Sequence, residues 1–305
     1  MPPNLHRVFA PFNICLAALG IALLACGFPV MPDPSELDAL QQTKTSLRQT
    51  QTEMSATPTS PPTATGIPTT TPTKKLPNVT FEGISFSFDP VIADAAVGEI
   101  IPLQDKGEYG AIGDTYPNHI KVHFSGYTLA QAYHEPTLYV YPVAEYEAIN
   151  EWVSGTFDDL RSILENHPDL SENMEGLFVP FLPMWNAGQF FTVKPAYLDF
   201  QNGSGIRYLT MVGQDIYPVD NQRLLYTYQG LTADGKYYIS FILPVAHPLL
   251  PYDAAASITD WEGFSANWDA YIKETKAKLN ELPLEQFSPP LHLLDQMVES
   301  LVVKP

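Results

Sequence analysis

Leu224-Leu-Tyr-Thr-Tyr-Gln-Gly-Leu-Thr-Ala-Asp-Gly-Lys-Tyr-Tyr-Ile-Ser-Phe-Ile-Leu-Pro-Val245 consists of two β-rich runs around a turn. Leu224 to Gln229 and Lys236 to Val245 flank Gly230-Leu-Thr-Ala-Asp-Gly235. The Asp234-Gly235 pair suits a turn whose backbone needs positive φ, so the segment predicts an antiparallel hairpin.

Strand patterns continue on the N-terminal side of this hairpin. Ile206 to Gln214, Tyr197 to Phe200 and Gln189 to Lys194 read as strands separated by Gln201-Asn-Gly-Ser-Gly205 and by Pro195. Ile84-Ser-Phe-Ser-Phe88 and His119-Ile-Lys-Val-His-Phe124 alternate apolar and polar residues, and Thr137 to Tyr141 is a β-rich run stopped by Pro142. Between them the period changes. Ala144 to Trp152 and Phe157 to Asn166 have helical spacing, with Phe157, Leu160, Ile163 and Leu164 on one face. Phe264 to Leu279 predicts one more helix and Ser288 to Leu301 another. In the latter, Ser288 is the N-cap, Pro289 lies in the first turn, and Leu291, Leu294, Val298 and Leu301 form the buried stripe. Strands in series with helices between and after them predict an α+β class, a mainly antiparallel sheet with helices packed on it. Residues 76–305, about 230 in number, show no composition break and read as one domain.

The N-terminal quarter has a different character. Arg7 is followed by an apolar run densest from Ile14 to Ala25, roughly a dozen residues, which suits a signal peptide and falls short of the ~20 that a spanning helix needs. The run ends in Leu23-Leu-Ala-Cys-Gly27, which resembles the lipobox of bacterial lipoproteins. That resemblance implies a signal peptide over residues 1–25, diacylglycerol on the Cys26 thiol and cleavage before Cys26. It places the protein in the cell envelope, bound to the membrane through its lipid and facing outside the cytoplasm. The 2 cysteines, Cys15 and Cys26, leave none in the exported domain. Residues 26–75 read as a tether. Ala56 to Thr73 is Thr/Pro low complexity, an extended spacer with a reach of about 55 Å. Within 35–54, Leu40, Leu47 and Met54 keep heptad spacing, but Lys44 and Gln51 are polar. The run is shorter than the ~3–4 heptads of a coiled coil, so disorder is the better reading and self-association the lesser one.

Charge narrows the partners. The chain has 16 basic and 34 acidic residues. Setting aside Arg7, Lys44, Arg48, Lys74 and Lys75, with Asp33, Glu36, Asp38 and Glu53, leaves 11 against 30, a net charge of −19 for the domain. Such a surface repels nucleic acid and anionic lipid.

No local pattern specifies catalysis, a metal or a cofactor. His119 and His123 fall on a strand, where four residues span about 13 Å, too far to share one ion. His134-Glu-Pro136 lacks the second histidine of a zinc-protease motif, and Gly203-Ser-Gly205 has the wrong glycine spacing for a nucleophile elbow and reads as a tight turn. Asp199, Arg207, Tyr208 and Asp215 lie on or beside consecutive strands. A structural ion pair is the first reading of Arg207. The second is a polar floor for a ligand pocket walled by Trp185, Tyr226 and Tyr228. Leu243 to Tyr252, rich in proline, reads as a loop covering the sheet, with a partner-docking lip as the lesser reading.

The strand opening Ile84-Ser-Phe-Ser-Phe-Asp-Pro90 and a terminal helix closing on Met297-Val-Glu-Ser-Leu-Val-Val303 resemble the two ends of PsbP-like α/β/α sandwich proteins. The resemblance implies a non-enzymatic accessory or assembly role and assigns no functional residue. The expectation is therefore a membrane-tethered extracytoplasmic binding or accessory domain. The alternative is an extracytoplasmic hydrolase whose site is assembled only in three dimensions.

Overall fold

The structure, a computed structural model, describes residues 78–107, 110, 112–170 and 179–305. The expected signal peptide, Cys26, the expected tether and the heptad segment 35–54 lie outside the described residues. Strands run in the order β1 (Asn78–Phe81), β2 (Ile84–Ser87), β3 (Ala95–Ile101), β4 (His119–Ser125) and β5 (Thr137–Pro142). Helices α1 (Val143–Ile149) and α2 (Glu151–Asn166) follow. Then come β6 (Gly188–Gln189), β7 (Val193–Phe200), β8 (Gly203–Thr210), β9 (Val212–Gly213), β10 (Leu225–Thr232) and β11 (Tyr237–Pro244). Helices α3 (Trp261–Ala266), α4 (Trp268–Glu281) and α5 (Leu291–Glu299), with the short β12 (Val302–Val303), complete the chain. The class is α+β.

The hairpin at 224–245 lies inside a 7-stranded antiparallel sheet of order β3-β4-β5-β11-β10-β8-β7. Leu225 pairs with Pro244 and Leu231 with Tyr238, and Gly235 takes φ +69 in the turn. All eight residues of β10 are buried. A strand buried on both faces needs a layer on each side. On one face Tyr226, Tyr228, Phe241 and Leu243 meet α5 and the 3-stranded sheet β1-β2-β12. On the other, Ile206, Tyr208 and Tyr238 meet Val153, Phe157, Leu160 and Ile163 of α2. The expected stripe of Leu291, Leu294, Val298 and Leu301 has no solvent exposure.

Several boundaries differ from the sequence reading. Pro195 does not end a strand. It sits within edge strand β7, where the register slips between Val193 and Ala196 and Lys194 adopts φ +51. A bulge on an edge is where a residue without an N–H is tolerated. The residues upstream contribute only the two-residue β6, paired with β9. Gly203-Ser-Gly205 is not a turn but the start of β8. A Cβ on Gly205 would lie 2.6 Å from the Tyr228 ring, so the glycine makes room for that tyrosine. The expected helix from Phe264 is two helices meeting at Asn267, whose side chain caps the Gly263 carbonyl at 2.7 Å. Asn150 similarly parts α1 from α2 in an extended conformation, its Oδ1 accepting from Trp152 N. Ser288 is no N-cap, because its backbone exchanges two 2.9 Å hydrogen bonds with Ala246 and α5 starts at Leu291. The final residues are strand, pairing with Ile84 and Ser85, rather than the end of a helix.

Candidate functional site

A buried polar network on the α2 face of the sheet determines where the site forms. Gln229, Thr227 and Ser240 are fully buried on adjacent central strands. Gln229 Nε2 donates to Thr227 Oγ1 at 2.7 Å and to Ser240 Oγ at 2.9 Å. Its Oε1 accepts from Tyr238 OH at 2.7 Å and from Leu182 N at 3.0 Å, while Ser240 Oγ donates to Leu182 O. Beside it, Tyr208 OH donates to Pro180 O at 2.9 Å. Buried polar groups need such partners, and these straps fasten residues 179–185 to the sheet. The segment then turns outward at Trp185, and Gln214 Nε2 holds Asn186 O at 2.9 Å.

Opposite Trp185 stands the turn Asp220–Arg223. Asp220, without solvent exposure, accepts from the backbone N–H groups of Gln222 and Arg223 at 3.1 Å each and from Arg223 Nη1 at 2.8 Å. Burial pushes its carboxyl above the ordinary range, against the opposing pull of Arg223 and the amides. The Arg223 guanidinium lies 3.9 Å from the Tyr217 ring centre and 5.5 Å from that of Tyr133. Asn221 anchors the turn to the proline-rich loop, donating to His247 O and Leu250 O and accepting from His247 N.

His134 closes the site. Its ring lies flat on Trp185, with centres 4.6 Å apart and planes 2° from parallel, and its edge meets Tyr133 at 4.9 Å. Burial, then the Arg223 charge, lowers its pKa to about 4, so the ring is neutral near pH 7. Its Nε2 is shielded from solvent and has no hydrogen-bond partner. These residues, with Asn186, Gln214 and Asp215, line a hollow of about 480 Å³. Trp185 also borders a second hollow of about 530 Å³, lined by Phe190, Phe191 and Lys276. Both volumes suit a small molecule.

The residues expected to form one polar floor are dispersed. Asp215 and Trp185 line the cleft, and Tyr208 supports it from beneath through Pro180. Arg207 points to the opposite face and binds Asp295. Asp199 is exposed on edge strand β7 opposite Ser204. Tyr226 and Tyr228 are buried on the α5 face, donating to Asp295 Oδ1 and Leu198 O. The cleft residues that sequence reasoning missed are Tyr133, His134, Tyr217 and Arg223. They are spread over some ninety positions, and of them the sequence singles out only His134, as the start of an incomplete zinc-protease motif. The other histidines considered for metal are occupied: His119 Nδ1 contacts Pro117 O, and His123 Nε2 contacts Glu99 Oε1 at 2.5 Å. Among the described residues no group of three or more metal-ligating side chains is gathered, and no helix is long and apolar enough to cross a membrane. No protein-family model matches the chain, and no curated protein or solved structure is significantly similar to it.

Proposed function

We propose that this protein is a lipid-anchored extracytoplasmic binding module, and that its ligand occupies the cleft between Trp185 and Arg223. The lipobox at Cys26 and the Thr/Pro spacer support the address. The cleft supports the activity, and one observation carries it: in a hollow of about 480 Å³ the rings of Tyr133, Trp185 and Tyr217 stand beside the polar side chains of Asn186, Gln214, Asp215 and Arg223. The groups nearest His134 are Tyr133, Trp185 and Arg223, which bind and orient. Arg223 is already held by Asp220, so the recognition surface is stiff before the ligand arrives. Nuclear magnetic resonance of the full chain, with a panel of neutral saccharides, blocked dipeptides, organic anions and amines, tests the reading. At least one class should move the Trp185 indole and His134 ring signals saturably. Perturbations confined to other surfaces, or none from the whole panel, would overturn it.

A further inference from the structure

Resting on that binding reading, we propose that the ligand is an uncharged saccharide, one pyranose face stacked on the exposed Tyr133 ring and its hydroxyl edge held by Asn186, Gln214 and Asp215. Electrostatics removes the charged alternatives. Arg223 is neutralised by Asp220 at 2.8 Å, Asp215 adds negative charge, and the surrounding domain carries an excess of acidic residues. An anion would therefore find no net attraction. A cation would have to sit beside the Arg223 guanidinium, which lies 3.9 Å from the Tyr217 ring centre and 5.5 Å from that of Tyr133, the exposed ring of the cleft.

A purely apolar ligand fits no better. Asp215, Asn186 and Gln214 line the same hollow, and covering them without hydrogen bonds is costly. What remains is a neutral molecule with an apolar face and a hydroxylated rim. Tyr133, 70% exposed, presents a ring for the first, with Trp185 behind it, one face covered by His134 at 4.6 Å, and the side chains around them supply donors and acceptors for the second.

The experiment titrates the full chain with three neutral disaccharides, cellobiose, maltose and N,N'-diacetylchitobiose, while following the heat of binding by isothermal titration calorimetry. Glucuronate, glucosamine and a blocked neutral dipeptide serve as comparisons. At least one neutral disaccharide should saturate the signal. Trp185→Ala should weaken it by roughly tenfold or more, and Trp152→Ala, on the exposed face of α2, should leave it unchanged. Tyr133→Ala should also weaken binding, and its exposed ring makes it the safer variant for folding. Failure of all three disaccharides overturns the saccharide inference, as does binding that both variants leave intact. If glucuronate, glucosamine or the dipeptide saturates the cleft signals instead, the binding module stands and the saccharide falls.

Discussion

Arg207 on β8 and Asp295 on α5 meet through two parallel hydrogen bonds, Nε to Oδ1 at 3.0 Å and Nη2 to Oδ2 at 2.9 Å. Tyr226 OH adds a third to Oδ1 at 3.0 Å, and Arg207 Nη1 reaches the Lys194 carbonyl in the β7 bulge. The cluster ties the last helix to the sheet and the edge strand. Removing one partner leaves the other buried and uncompensated, so Asp295→Ala should cost about 3–5 kcal/mol in denaturant unfolding. The triple variant Arg207→Met, Asp295→Leu, Tyr226→Phe should recover much of that loss. A single variant as stable as wild type would mean the pair contributes little.

The helix that carries Asp295 gives a second contrast. Leu294 is fully buried and Glu299 is exposed. Leu294→Ala should destabilise by ~2–5 kcal/mol. Glu299→Ala should stay within about ±0.5 kcal/mol. Equal denaturation midpoints would contradict the packing of α5.

These two helix positions also show what the sequence could reveal. The stripe through Leu294 was readable because an amphipathic period needs no knowledge of what lies opposite. The partner of Arg207 was not, since Asp295 is 88 residues away and the aspartates nearest in sequence point elsewhere. β3 was missed because Ala95–Ile101 lacks alternation, as expected of an exposed edge with Val97 at 57% and Ile100 at 56% exposure. The cleft was legible only as Trp185 and Asp215. His134, Tyr217 and Arg223 converge through turns whose register only the folded sheet sets.

Gln229 links the core to the cleft. In Gln229→Leu the groups it satisfies lose their partners inside the protein, at about 1–3 kcal/mol for each one left unpaired. The amide of Leu182, which donates to Gln229 Oε1, should exchange its hydrogen faster than in wild type. Unchanged exchange at Leu182 would show that residues 179–185 are held by other means.

His134 predicts a pH dependence. Its pKa falls from 6.5 in the unfolded chain to about 4 in the folded one, so between these values the unfolded state binds more protons. The stability tied to the neutral ring is therefore complete above about pH 6.5 and is lost as pH falls toward 4. His134→Phe keeps a ring on Trp185 and removes the proton. Its melting temperature should drop less between pH 7 and pH 5 than that of wild type, and identical drops would refute the assignment.

Lipidation has a direct test. A labelled fatty acid fed to the producing bacterium should mark the wild-type chain and not Cys26→Ser, which should move to the soluble fraction. Label that survives the substitution would remove the basis for the anchor.

The small sheet affects the timing of folding. Val303 pairs with Ile84, and Ser300 Oγ accepts from Ser87 N across 213 positions of chain. A ribosome makes Ile84 and Phe86 early and Ser300, Val302 and Val303, which complete their cover beside Phe124 and Phe241, more than 200 positions later. At about 5–20 residues per second, that apolar surface waits roughly ten to forty seconds for its cover. Throughout synthesis the nascent domain therefore remains open and unfinished. A chaperone has that interval in which to hold it, and losing Val302–Val303 would leave β2 with β1 alone beside it.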